Sequence, residues 1–284
     1  MSNESLSLSA ALNEKTVHAL IDPALYPEAL RHRMTRGLQR ALSVNGLSAA
    51  GEDAKAVVPF LVPISEDASE RQRQLNAFEI WAREAYAVSW LVSPAPVGTL
   101  AELLGRRLDV VLSDEQSALL RISDTRILPI VQSLLSDIER AQFFSSVSQW
   151  WYFDRQERLQ CISCELAQGS DMWRTPWRLT PVQESALLMA AEPDTVLALL
   201  HEQVPAKLQT LPRPQRHEFV RDRMSEARAW GLESAEQHAL YCLIALSLGA
   251  DFSERPQWQE ALTHVRERTM SLMEALDAIE QGKT

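Results

Sequence analysis

Glycine and cysteine are scarce in this chain of 284 residues, and each scarcity excludes something. The nine glycines never fall into GxGxxG or GxxxxGK[ST], so the phosphate-cradling turns that many α/β proteins use for nucleotides are missing. Three cysteines, Cys161, Cys164 and Cys242, are too few for a disulfide-stapled fold and suit a reducing compartment. No apolar run approaches the ~20 residues that span a bilayer, and the strongest, residues 239–248, is short and flanked by polar residues. Residues 1–15 have neither a cationic start nor a long apolar core, and do not resemble a secretory signal. Lys and Arg number 28 against 38 Asp and Glu, a formal net charge of −10 with no polybasic run. That balance argues against nucleic acid and against anionic membrane as partners. Neither GxSxG nor a familiar Cys–His signature of nucleophilic catalysis occurs.

What is present reads as strands and helices in alternation, then helices alone. A polar, Ser-rich stretch, 1–14, is expected to be disordered. Residues 17–21 read as a strand stopped by Asp22-Pro23. Residues 24–42 read as a helix ended by Asn45-Gly46, and the proline-bracketed run 57–64 as an edge-type strand. A charged helix over 70–83 and a strand over 85–92 follow. Thr99 is read as the cap of a helix to about residue 107. Residues 108–112 and 117–122 read as a hairpin. At 123–125, Ser-Asp-Thr makes a polar corner before the amphipathic helix of Ile127, Leu128, Val131, Leu134 and Leu135. Arg121 and Arg126 flank this corner close to Asp124, and are read with it as a charged structural hinge. A second hairpin joins 149–153 to 158–166. From Thr180, helices are expected at 181–189, 193–203, 213–230, 234–248 and 256–279. The fold class is therefore an α/β (α+β) lobe with a small mixed sheet, residues 15–168, a linker, 169–179, and an all-helical lobe, 180–284.

Candidate chemistry is thin. Cys161-x-x-Cys164 lies in a strand-like run with no second pair of soft ligands, so packing outweighs zinc or redox use. His18 stands near Asp22, but no nucleophile accompanies them. A hydrolase or transferase with a site between the lobes, using His18 with Asp22 or the cysteines, stays open as an alternative. Aromatic residues concentrate between 143 and 177. Phe144, Trp150, Trp151, Tyr152, Trp173 and Trp177 are candidate partner-binding residues, since Trp and Tyr dominate interface anchors. Coverage of the same residues by the rest of the chain is the plainer reading.

Four blocks, taken in order, resemble the type VI secretion adaptor proteins, the effector chaperones called Tap or TEC proteins. Val17-His18-Ala19-Leu20-Ile21-Asp22 looks like the family's opening strand. Val58-Pro59-Phe60-Leu61-Val62-Pro63-Ile64 looks like its PYLVPL block. Leu120 through Leu128, LRISDTRIL, looks like its FRFYDPRVL block. Phe144-Ser145-Ser146-Val147 through Trp150 sits where the family has FGP and a Trp. Pro23 stands where Gly is common, Thr125 replaces the Pro after the Asp, and Ser145-Ser146 replaces Gly-Pro. The resemblance implies a cytoplasmic, non-enzymatic adaptor that needs no metal or cofactor. Its implied partners are a cognate effector and the VgrG spike protein, with no nucleic acid and no membrane insertion.

Overall fold

The computed structural model describes residues 7–13, 15–25, 40–42, 58–166 and 171–282. The chain divides into two compact units, residues 1–187 and 188–284. The first carries mixed sheets with antiparallel strands, and the C-terminal part, from about residue 181, is helical.

In the first unit a six-stranded sheet runs in the order β2-β3-β1-β4-β7-β8. The strands are β1 (Val17–Ile21), β2 (Arg40–Ala41), β3 (Phe60–Pro63), β4 (Val88–Val92), β7 (Gln149–Phe153) and β8 (Leu159–Ser163). β1 lies inside the sheet, antiparallel to β3 and β4, and all five of its residues are buried. That is why it reads as an unbroken apolar run rather than an alternation. β3 is not the edge: its prolines bracket it, but Arg40 and Ala41 pair with Leu61 and Phe60 on its outer side. Those two residues form a strand at the end of the span expected to be a helix; residues 26–39 of that span lie outside the described residues. A second, three-stranded sheet sets β5 (Asp109–Val111) between β6 (Ser117–Leu119), antiparallel, and β9 (Trp177–Arg178), parallel.

Each face of the larger sheet has its own core. On one face, Ala19, Ile21, Val88, Trp90 and Phe153 pack against α2 (Ala68–Glu84) through Leu75, Phe78 and Ala82, and against α1 (Leu8–Ala11). Leu8 and Leu12 are buried there, so the expected disorder does not extend over residues 8–12. The reason is local: the Ser7 hydroxyl accepts from the Ala10 N–H, starting a helical turn that carries two leucines into the core. On the other face, Leu20, Leu91, Trp150 and Ile162 pack with α3 (Val97–Leu108), α4 (Leu128–Leu134) and α5 (Asp137–Phe143). α3 starts behind Pro96 and not at Thr99, which lies inside its first turn. Trp150 donates its indole N–H to the Ser89 hydroxyl at 2.9 Å, with both side chains shut off from solvent.

The helix α6 (Pro181–Gln203), which begins in the first unit and ends in the second, continues through Pro193 instead of breaking there. The proline removes the hydrogen bond to the carbonyl four residues back, that of Met189, while the turns on either side stay helical. After the short α7 (Pro205–Leu208), α8 (Arg213–Ala229) and α9 (Ala235–Leu248) pack around Tyr241, Phe252 and Trp258. The span expected as one helix over 256–279 is two, α10 (Pro256–Arg266) and α11 (Leu272–Glu280). Arg268 has φ 59° between them, and Ser271 with Glu274 forms a capping box that restarts the helix. No helix among the described residues is long and apolar enough to cross a membrane.

The Trp150–Ser89 bond gives a first test. Trp150→Phe keeps most of the apolar contact but strands the Ser89 hydroxyl, and should cost about 1–3 kcal/mol in urea unfolding. Adding Ser89→Ala should restore part of that loss; strict additivity of the two substitutions would show that the bond does not contribute.

Candidate functional site

The corner at 120–126 holds one end of the larger sheet together. Its charged residues do not form a single knot. Arg121 reaches Asp22 at the end of β1 (2.9 Å) rather than Asp124, and the Ser123 hydroxyl donates to the same Asp22 oxygen at 2.8 Å. The other Asp22 oxygen accepts from the Ala24 N–H, and Asp22 itself has no exposed surface. Asp124 instead binds Arg126 through two bonds of 2.9 and 2.7 Å and caps the following 3₁₀ turn through the Arg126 N–H. The Arg126 guanidinium lies over the Tyr86 ring at 5.6 Å.

Thr125 ties in two further strands. Its N–H donates to the Tyr86 carbonyl just before β4, and its hydroxyl to the Phe153 carbonyl at the end of β7. Arg155 adds a bond to the Arg126 carbonyl. Arg121, Ser123, Thr125 and Arg126 therefore reach the ends of β1, β4 and β7. This is an architectural joint: the side chains of Arg121, Ser123, Asp124, Thr125 and Arg126 each bond within the chain.

The candidate partner-binding aromatics turn inward. Phe144, Trp150, Tyr152, Trp173 and Trp177 are buried, and Trp151 alone of the six keeps partial exposure. Trp177, Trp173, Phe143, Phe144 and Trp150 form an edge-to-face chain with centroids 4.9–6.0 Å apart. Truncating any one of them to Ala would cost on the order of 3–5 kcal/mol. The span 169–179, expected as a linker, therefore contributes core: within it Trp173 and Trp177 fill the cluster and β9 completes the smaller sheet.

A buried ion pair that sequence reading missed fastens this span. Arg107, at the end of α3, has no exposed side-chain surface. It binds both oxygens of Asp171 at 2.6 and 2.7 Å, the carbonyls of Leu103, Gln142 and Phe143, and the Ser145 hydroxyl. Asp171 also accepts from Arg106 and from the Trp173 N–H. Burial pushes the Asp171 carboxyl up, but its bonds and charge pairing with Arg107, the Trp173 N–H and Arg106 outweigh this and hold it below the usual carboxylate range. No local signal marks the pair, because its members are 64 residues apart.

The groups weighed for covalent chemistry are separate. His18 and Asp22 lie four residues apart on an extended strand, about 13 Å by strand rise. Asp22 is fully engaged as described, and neither His18 nitrogen makes a hydrogen bond. Burial lowers the His18 pKa, opposed by the nearby backbone of Ala95 and Ser93. Burial raises the Cys161 thiol, and raises Cys164 to about 11 with the neighbouring Cys161 adding to it. Both thiols are therefore protonated at neutral pH and poor nucleophiles. Among the described residues, no group of three or more His, Cys, Asp or Glu is placed to hold a metal ion.

Residues 17–142 match the family model described as a domain of unknown function, DUF4123. No curated protein and no solved structure gave a match. The DUF4123 span begins at the first residue of β1, takes in β3 and the corner, and ends inside α5. It thus includes both sides of the Asp22–Arg121 joint.

Two outcomes are expected. Arg107→Met should lower stability by about 3–5 kcal/mol by stranding Asp171, and in combination with Asp171→Asn the losses should fall short of additive by more than about 1 kcal/mol. Urea titrations of the four proteins give the coupling. Separately, His18 is held in its neutral form, so the unfolded chain takes up a proton first as pH falls. Stability should be complete above pH ~6.5 and decline below it toward the lower folded pKa. His18→Leu should flatten that part of the urea-midpoint profile, and an unchanged slope would contradict it.

Proposed function

We propose that this protein is a cytoplasmic adaptor that binds a type VI secretion effector and helps load it onto the VgrG spike, without catalysing a reaction itself. The observation that carries this reading is the ordered set of four sequence blocks. Three of them fall within the DUF4123 match. The same blocks supply the residues of the sheet and its joint: β1 with Asp22, β3, the corner at 120–126, and Trp150 bonded to Ser89. Residues that carry the likeness to the adaptors are thus residues on which the fold of the first unit rests.

Two further observations favour binding over catalysis. The buried His18, the engaged Asp22 and the protonated thiols assemble no acid, base or nucleophile at one place. An acidic chain with net charge −10 also suits a protein partner better than nucleic acid.

The test is co-expression with a toxin-like protein and a VgrG protein from the same genome, sought among the neighbouring genes. The toxin-like protein should be recovered with the tagged chain and should be more soluble in its presence, and deleting the gene should abolish its delivery. Equal solubility and equal delivery without this protein would overturn the proposal.

A further inference from the structure

The larger sheet ends at β8, and this edge differs from the sheet's other one. β2, at the far side, pairs through two residues among those described, whereas β8 has five residues in unbroken register with β7. Which backbone groups β8 leaves free follows from the bonds that bracket it. The Cys164 N–H donates to the Ser148 carbonyl, and the Asp154 N–H to the Arg158 carbonyl, both at 3.0 Å. Bonded residues alternate along an antiparallel ladder. Given the pairs Trp150–Ile162 and Tyr152–Gln160, the residues bonded to β7 are Arg158, Gln160, Ile162 and Cys164. Leu159, Cys161 and Ser163 then turn their N–H and C=O groups outward. Among the described residues, none of these six groups takes a hydrogen bond.

Folded proteins usually guard such an edge with proline, lysine, an inward charge, a bulge or brevity. The segment LQCIS has no proline and no charge, and its register has no bulge. Arg158, beside the edge in sequence, is turned back onto Asp154 and Gln156, and Lys15, over the Trp151 ring, is held by the Ala11 carbonyl and the Gln149 side chain. Beside the edge, half-buried Trp151 stands across from Cys161, with Leu159 packed against the core on the same face. The edge therefore offers a backbone template backed by apolar side chains.

We propose that β8 is the docking edge for an extended segment of the effector, which joins the sheet as a further strand with apolar residues beside Leu159 and Cys161. This rests on the adaptor reading above and names its contact. A second copy of the chain fits less well. The chain carries a net charge of −10, so two copies placed edge to edge repel.

Residue-resolved amide exchange on the full chain, alone and co-purified with the toxin-like protein, tests this. The Leu159, Cys161 and Ser163 amides should exchange quickly in the free chain and at least about tenfold more slowly in the complex, while Gln160 and Ile162 stay protected in both. Cys161→Pro removes an N–H that β7 does not use, and should cut recovery of the toxin-like protein at least about tenfold. Ser163→Lys guards the same edge without touching the backbone, and should weaken recovery in the same direction if the proline variant does not fold. Recovery of the complex with all three amides still fast, or undiminished with Ser163→Lys, overturns the edge and leaves the adaptor reading standing. Failure of the wild-type chain to bind the toxin-like protein overturns both. Protection of the three amides in the isolated chain, rising with its concentration, assigns the edge to a second copy and overturns the proposed occupant.

Discussion

Asp22 has no surface of its own, and three donors meet its two oxygens. Removing a buried carboxylate from water is costly, and only well-aimed hydrogen bonds and an opposite charge recover that cost. Here the charge and two of the three bonds come from a corner about a hundred residues further along the chain. The geometry of that corner is therefore not free. Arg121 and Ser123 must face the end of β1, which leaves Asp124 to cap the next turn and Thr125 to reach β4 and β7. The order of strands at this end of the sheet follows from satisfying one aspartate.

A second buried charge plays the matching part at the end of α3. Arg107 gathers the carbonyls at the end of α5, the Ser145 hydroxyl and Asp171 around one guanidinium. By fixing Asp171 it places Trp173, and with Trp173 the aromatic chain that fills the larger core. Two departures from the adaptor pattern gain a physical sense from these bonds. Thr125 supplies an N–H to Tyr86 that a proline would lack, and Ser145 supplies a hydroxyl to Arg107 that a glycine would lack.

What could be read from the sequence was local or periodic. β1, β4, the two hairpins and most helices announce themselves through apolar runs, caps and turn residues, and the change to helix alone after residue 180 is plain. Pairings at long range were not legible. Nothing near Arg121 says that its partner is Asp22 rather than Asp124, three residues away. Nothing near Trp173 and Trp177 distinguishes a core strand from an aromatic surface, because both need the same side chains. The inward turn of the aromatics moves attention from side chains to backbone, where, among the described residues, the outward groups of β8 take no hydrogen bond.

The parallel pairing of β5 with β9 has a consequence for the making of the protein. Val110 and Trp177 must meet, yet 67 residues separate them. At a synthesis rate of about 5–20 residues per second, β9 emerges roughly 3–13 s after β5. During that interval the nascent first unit lacks Asp171 and both tryptophans of the 171–178 segment, so Arg107 has no carboxylate and the aromatic core is open on one side. The larger sheet is complete only once β8 has followed, and a ribosome-bound chain arrested between β8 and Asp171 would hold Arg107 without its carboxylate and be a target for chaperones in its own right.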